Sequence, residues 1–192
     1  MAEPPLKDGE PPKPDLTAPA FGVCFHSMSS PSEKPFDPVR NANEEALRTA
    51  HHLLKDTRFA SLATLDPEGH PFVSLVSFAL DRAGAPFLFV SRLSAHTQHL
   101  LANPRAALLV GEPGKGDPLA HARMTVQCQA EPVPKESDEI ILLKTLYLAR
   151  HPKAQLYADF PDFIFIRLRP LGASLNGGFG KAFRLTADEL RP

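Results

Sequence analysis

This chain of 192 residues has only two cysteines, no tryptophan and almost no net charge. Its two cysteines, Cys24 and Cys128, form no CxxC motif and stand at no metal-ligand spacing with a histidine. The spacing predicts two reduced thiols in a reducing compartment, although it also permits a single disulfide. A formal net charge of −1 gives no sign of an excess of basic residues, so we expect no general binding to nucleic acid or to a membrane surface.

Long apolar runs are absent as well. No segment is apolar over the length that a membrane span needs, and residues 1–15 lack the apolar core of a signal peptide. We therefore expect a soluble, cytoplasmic protein. A hydrophobic content of 43% over this length is enough for one domain with a real core.

Proline is abundant, and it concentrates near one end of the chain. Nine of the 21 prolines fall within the first 38 positions, among Lys, Asp, Glu and Ser, without apolar periodicity. This composition predicts a flexible arm over residues 1–35 and one folded domain over residues 36–192. The apolar patch at residues 21–25 is compatible with docking on the domain or on a partner subunit. Asp37 and Pro38 predict the cap and first turn of a helix.

Strand-like segments dominate the rest of the chain. Short apolar runs alternate with turn residues, and a Gly-containing turn at 81–84 predicts a hairpin. The predicted strands cover residues 58–66, 71–80, 85–90, 106–110, 122–130 and 162–170, and a last β segment lies within 171–185. Three or four helices interrupt them, so the order favours a mainly β (α+β) fold built on a small barrel over alternating βαβ units.

A polar cluster marks the point where the third strand gives way to a helix. It comprises Ser91, Arg92, Ser94, His96 and Thr97. A helix N-terminus offers unpaired N–H groups and a partial positive charge, so the cluster predicts a phosphate site. Simple helix capping is the alternative for Ser94. Ser74 and Arg123, on other strands, are further candidates, because the arginine fork binds phosphate or carbonyl groups.

Other catalytic motifs are missing. The sequence has no GxSxG nucleophile elbow, and the loop at 111–121 lacks the G-x-x-x-x-G-K-[ST] of a phosphate-binding loop. His96 and His99 share a helix without a matching third ligand elsewhere, so we expect no zinc site. No pair of carboxylates stands out for acid–base chemistry, and catalytic residues stay unassigned.

At these positions the chain resembles the FMN-binding split-barrel superfamily of pyridoxamine 5′-phosphate oxidase. The matching segments are LATLDPEGHPFVSLVSFALD, LFVSRLSAHTQHLLANPRAALLV, DPLAHARMTVQCQA, YLARHP and YADFPDFIFIRLRPLGASLNGGFG, in that order. Within the superfamily they are most similar to the haem-utilisation (HugZ-like) branch. The resemblance implies a six- to seven-stranded antiparallel split β-barrel of the FMN-binding type. It also implies a homodimer with the cofactor at the subunit interface.

The function that this resemblance implies is an FMN-dependent oxidoreductase acting with a small-molecule substrate or electron donor. It implies that the flavin phosphate lies at Ser94, His96 and Thr97, with Arg123 near the polar edge of the ring. The implied cofactor contacts are Ser74, Leu75, Val76, Ser77, Val90, Ser91, Arg92, Ser94, His96, Thr97 and Arg123.

Two charged positions of the oxidase pattern are absent here, and the second branch of the resemblance implies an alternative ligand. The Arg and Lys that the oxidase carries on its second strand match Ser74 and Ala79 here, so both charges are missing. The haem-utilisation branch implies haem as the ligand, with degradation of haem in some members. That branch holds haem by a histidine in its C-terminal segment, whereas this chain has none after His151. A haem-binding protein and a non-catalytic flavin protein are therefore the alternatives.

Overall fold

The computed structural model describes residues 39–178 and 180–191 of the chain. The predicted arm over residues 1–35 lies outside the described residues. The strands are β1 (Arg40–Asn41), β2 (Phe59–Leu65), β3 (Pro71–Leu80), β4 (Pro86–Ser91), β5 (Arg105–Val110), β6 (Arg123–Pro132), β7 (Phe163–Asn176) and β8 (Ala182–Thr186). The α-helices are α1 (Glu44–Asp56), α2 (Ala95–Ala102) and α3 (Glu139–Arg150). Among the described residues, no helix combines the length and apolarity that a membrane crossing requires.

Six antiparallel strands close into a barrel in the order β7-β4-β3-β2-β5-β6, with β6 pairing back to β7. Strand β7 is long enough to serve two partners along one edge. It pairs with β4 through its first residues and with β8 from Gly172 to Asn176, and β1 runs parallel to β8. The predicted antiparallel split barrel, with helices added to a mainly β fold, is thus confirmed.

Alternation along the strands fills the barrel interior. On β6, Met124, Val126 and Cys128 point inward and are buried, as their alternation predicts. Cys128 is a free thiol there, and burial raises its pKa to about 12. Other side chains of this core without exposed surface include Ala50, Leu62, Phe78, Leu88, Leu108, Val110, Ile166 and Leu168.

A second core lies outside the barrel, under α3. Tyr147 of α3 packs against the rings of Phe87 and Phe89, and Phe89 stacks on Phe165 at 4.6 Å between centroids. Strand β4 is therefore buried on both faces, which is why its sequence is continuously apolar rather than alternating. This packing fixes α3 against the outer side of the sheet.

Helix α1 begins later than the sequence predicts. The predicted start at Asp37 and Pro38 lies outside the described residues, and β1 occupies the segment before Asn43. The helix starts at Glu44, where Asn43 Oδ1 accepts a hydrogen bond from the backbone N–H of Ala46 at 2.9 Å. An Asn cap satisfies one unpaired donor of the first turn, as an Asp cap would.

Candidate functional site

The predicted phosphate cluster lies where α2 covers one end of the barrel. Ser74 Oγ on β3 is 3.3 Å from His96 Nδ1, and Thr64 Oγ1 on β2 is 3.1 Å from His99 Nδ1. The ring of Phe72 meets His99 edge-on at 4.9 Å. Two histidines one turn apart on α2 thus fasten the helix to the ends of two neighbouring strands.

A carboxylate stands at the start of α2. Ser91 Oγ donates a hydrogen bond to Asp162 Oδ2 and accepts one from the backbone N–H of Leu93 at 3.1 Å. Ser94 occupies the N-cap position, but its side chain makes no capping hydrogen bond within the described chain. Ser94 is therefore the N-cap residue, as the capping alternative predicts, but the N-terminal turn is held by Ser91 and by backbone hydrogen bonds rather than by the Ser94 hydroxyl.

Two polar atoms of α2 are buried without a hydrogen-bond partner among the described residues. They are Thr97 Oγ1, on a side chain with no exposed surface, and His96 Nε2. Burial lowers the pKa of His96, and the neighbouring His99 lowers it further. The barrel end therefore favours a neutral imidazole at this position.

We expect the protein to lose stability as the pH falls below the ordinary pKa of histidine, about 6.5. The folded-state pKa of His96 is lowered, so on acidification the unfolded chain takes up a proton before the folded chain does, which favours unfolding. Burial also lowers the pKa of His151, which adds to the effect. In urea titrations at pH 7.5 and pH 5, His96→Gln should lose less stability on acidification than wild type. The exposed His70→Gln is the control, and equal losses in wild type and His96→Gln would contradict the prediction.

The predicted contacts on β3 and β4 point to different sides of the sheet. Ser74 and Val76 face inward, whereas Leu75 is 73% exposed on the outer wall, and Ser77 lies on that outer side, near the Tyr147 hydroxyl of α3. Val90 is buried in the barrel core and Arg92 is exposed. The assignment of these residues to flavin binding stays a prediction.

Arg123 lies apart from the α2 cluster within one chain. Its Nη1 donates to the carbonyl oxygens of Leu119 at 3.0 Å and His121 at 3.3 Å. Strand β6, which carries it, lies opposite β3 in the closed barrel, three strands away in either direction, roughly 14 Å along the wall at the usual strand spacing. The structure therefore brings Ser74 and His96 together but does not bring Arg123 to them.

A cavity that the sequence analysis missed opens between the C-terminal ends of α1 and α3 and the end of β3. Its volume is about 610 Å³. Its lining residues are Lys55, Asp56, Arg58, Ala79, Leu80, Leu146, Ala149 and Arg150. Three cations and one carboxylate thus surround an apolar floor. The only sequence signals were the Lys-Asp-Thr-Arg run at 55–58 and the Leu-Ala-Arg run at 148–150.

Arg150 forms the innermost cationic part of this cavity, which we call the basic cavity. It donates to the carbonyls of Leu54 at 3.2 Å and Lys55 at 2.7 Å, and also to that of Thr57. Its guanidinium carbon lies 5.4 Å from the centre of the Phe78 ring. Burial and the nearby charge of Arg58 lower the pKa of Arg150. Arg150 therefore closes the end of α1, while Lys55 and Arg58 give the cavity a more exposed cationic rim.

Comparison with known proteins decides the family. The family model for pyridoxamine 5′-phosphate oxidase matches residues 46–176, which is most of the chain and all of the barrel up to the end of β7. The chain belongs to the pyridoxamine 5′-phosphate oxidase-like split-barrel family. Within this family, sequence and structural neighbours lie in the haem-utilisation branch, as the resemblance implied.

Three relatives illustrate that neighbourhood. The chain is 37% identical to the non-canonical haem oxygenase HOZ of Arabidopsis thaliana over 116 residues, 60% of this chain and 35% of that protein. It is 24% identical to the haem oxygenase HutZ of Vibrio cholerae over 71% of this chain and 78% of that one. A haem-binding protein from Mycobacterium smegmatis is 33% identical with a TM-score of 0.71, over 78% of this chain and 61% of that structure. The chain thus spans about a third of the length of the plant relative.

Proposed function

We propose that this member of the split-barrel family binds haem, with haem breakdown as the activity to test. The observation that carries the proposal is the basic cavity, which combines an apolar floor with a cationic rim. The names of the plant, Vibrio and mycobacterial relatives support it, since each refers to haem. The alternative ligand of the sequence analysis thus becomes the leading one.

The chemistry of the basic cavity fits haem on two counts. Haem presents a flat apolar ring, for which the half-buried side chains of Leu80 and Leu146 offer an apolar surface. It also carries two propionates, which Lys55 and Arg58 would bind through charge-assisted hydrogen bonds. A volume of about 610 Å³ lies within the usual range for small-molecule and cofactor sites. When bound, the haem iron would supply the redox chemistry that the chain's own side chains lack.

FMN is the second candidate, favoured by the two unpartnered buried atoms at α2, Thr97 Oγ1 and His96 Nε2. The surroundings of α2 count against a phosphate there. Asp162 places a negative charge beside Ser91, and the Ser91 hydroxyl is already engaged by that carboxylate. A phosphate dianion would meet like charge where the cradle should offer cations. This is the physical reason for ranking haem above FMN.

Assembly as a homodimer, with the ligand at the subunit interface, is part of the proposal. The outer wall of the barrel supports it, because Val73 and Leu75 of β3 and Leu109 of β5 remain exposed on the two strands that flank β2. An apolar strip of this kind is typical of a surface that a second subunit covers. Light scattering coupled to size-exclusion chromatography reports the assembly directly.

The test of the proposed function is titration of the full-length protein with haemin, followed by the Soret band, with a parallel titration with FMN. We expect haem uptake that survives gel filtration. The double variant Lys55→Gln, Arg58→Gln should bind haem about tenfold or more weakly, because two propionate partners are lost. Arg48→Gln with Arg82→Gln removes the same charge from exposed sites away from the cavity and should bind as wild type does.

Two outcomes would overturn the proposal. One is retention of FMN without uptake of haem, which would restore the flavin interpretation. The other is equal weakening in both double variants, because the cations of the basic cavity would then act through net charge alone.

A further inference from the structure

We propose that a second pocket, beside the start of α3, binds a small aromatic carboxylate. The pocket lies between α3, strands β4 and β7, and the segment 158–160 that precedes β7, and it shares no lining residue with the basic cavity. Its volume is about 230 Å³. Its lining residues are Phe89, Val133, Lys135, Ile140, Lys144, Ala158, Asp159, Phe160, Phe163, Ile164 and Phe165, and we call it the aromatic pocket. A ligand there goes beyond the proposed function and does not depend on it.

Aromatic rings form much of the lining of the aromatic pocket. Phe163 packs on the buried ring of Phe89 at 5.0 Å between centroids and is itself half-buried. Phe160 lies 6.2 Å from Phe163, with its ring plane turned by 75°, and it is 55% exposed. A planar ligand parallel to one of these two rings is nearly perpendicular to the other, and aromatic pairs favour both arrangements. The geometry therefore favours a flat, unsaturated ligand over a branched aliphatic one.

Two ammonium groups and one carboxylate accompany these rings. Lys144 Nζ is 2.6 Å from Asp159 Oδ1, an ion pair that ties α3 to the segment before β7. Lys135 Nζ donates instead to the backbone carbonyl of Pro161 at 2.7 Å, so this hydrogen-bond partner is neutral. An ammonium has three N–H donors, so each lysine keeps donors for a ligand. The lining thus has an excess of one positive charge beside aromatic surface, which favours a monoanion.

Size and chemistry together define the class of ligand. Sites for small molecules are mostly apolar and aromatic, with a few polar groups that fix orientation, and their volumes usually start at about 300 Å³. The aromatic pocket has this composition but a smaller volume, so it accommodates a ligand of one ring rather than haem or FMN. A carboxylate is ionised at neutral pH and accepts charge-assisted hydrogen bonds from ammonium groups. Benzoate is a simple compound that combines these features, and Lys135 is its expected partner.

Titration of the full-length protein with benzoate, followed by NMR of the backbone amides and aromatic side chains, tests the inference. We expect a Kd of about 1 mM or below, with the largest chemical-shift changes at Phe160 and Phe163. Benzamide keeps the ring without the charge, and acetate keeps the charge without the ring. Each of these two compounds should therefore bind about fivefold or more weakly than benzoate.

Matched variants separate the contribution of the charge from that of the ring. Lys135→Gln should weaken benzoate binding about fivefold or more and leave benzamide binding unchanged, because it removes only the charge. Phe160→Ala should weaken binding of both compounds, since it removes a ring that both contact. Lys115→Gln removes the same charge from the loop at 111–121, away from the aromatic pocket, and should bind benzoate as wild type does. Circular dichroism checks that these exposed substitutions leave the fold intact.

Three outcomes would overturn the inference. The first is a failure of benzoate to bind, or equal binding of benzoate, benzamide and acetate. The second is a set of chemical-shift changes centred on Leu80 and Leu146, which would place the anion in the basic cavity. The third is equal weakening by Lys135→Gln and Lys115→Gln, because the lysine would then act through net charge alone. Haem uptake enters none of these measurements, so the proposed function and this inference can fail separately.

Discussion

Phe78→Ala is expected to lower the free energy of unfolding by about 3–5 kcal/mol, the usual cost of removing a fully buried phenyl ring. Phe78 has no exposed surface and fills the end of the barrel where α1 and α3 meet it. Its ring also lies beneath the Arg150 guanidinium, and its carbonyl accepts a hydrogen bond from His151 Nε2 at 2.8 Å. Truncation therefore opens a cavity in the barrel and removes a cation–π contact at the same time.

Urea unfolding followed by circular dichroism measures this loss, with Phe160→Ala as the matched control. Phe160 is 55% exposed in the segment before β7, so the same truncation there should cost less than about 1 kcal/mol. The free energy of unfolding of a typical domain is about 5–15 kcal/mol in total. Phe78→Ala should therefore clearly lower the urea concentration at the midpoint of unfolding. Equal costs for the two variants would mean that Phe78 is not part of the cooperative core.

The strands could be predicted from the sequence because alternation is a local signal. Strand β3 has the predicted bounds of 71–80, and β6 has the predicted inward and outward faces. Both strands have one face against the barrel core. Apolar residues therefore recur at every second position of β6, whereas the second half of β3 is apolar on both faces because the second core under α3 covers its outer side. The turn between Asp81 and Gly84 could be predicted as well, because Gly84 takes a positive φ of 79°, a conformation that favours glycine.

The full length of β7 could not be predicted from the sequence. Its sequence predicts a strand that ends at Pro170, but pairing with β6 and β8 continues it to Asn176. Proline removes a ladder donor, which makes position 170 look like an end. In the structure a register shift between Gln127 and Cys128 of β6 lies opposite this point and absorbs the irregularity. Tertiary pairing, which a single sequence does not display, overrides the local signal.

The candidate site, too, could be predicted only in part, because its residues come from distant segments of the chain. The polar cluster at α2 was found from its composition, yet the Asp162 carboxylate that engages Ser91 comes from 71 residues away. The basic cavity joins segments near residues 56, 80 and 148, each unremarkable by itself. Sites assembled from distant segments depend on how the fold packs. The sequence therefore indicated which residue types take part, but not which side chains lie next to one another.

Arg150→Met is expected to destabilise the protein by about 2–4 kcal/mol, because hydrogen bonds from a charged donor are worth about 1.5–3 kcal/mol each and do not add fully. The substitution keeps an apolar stem of similar length but removes the donors that serve the carbonyls of Leu54, Lys55 and Thr57. Those carbonyls are the unpaired acceptors at the end of α1, and Leu54 and Thr57 are buried. Arg150 thus does for α1, from a different helix, what a C-terminal cap would do.

Urea unfolding, together with amide exchange along α1, tests this role. The exchange of the last turn of α1 should rise more than that of its first turn, which the Asn43 cap still holds. Arg150→Lys is the informative partner variant, because an ammonium keeps the charge near the α1 terminus but cannot span three carbonyls with a planar fork. We expect it to recover part of the stability. If Arg150→Lys matched wild type, the helix end would need only a positive charge, and if Arg150→Met matched it, α1 would be held by its packing alone.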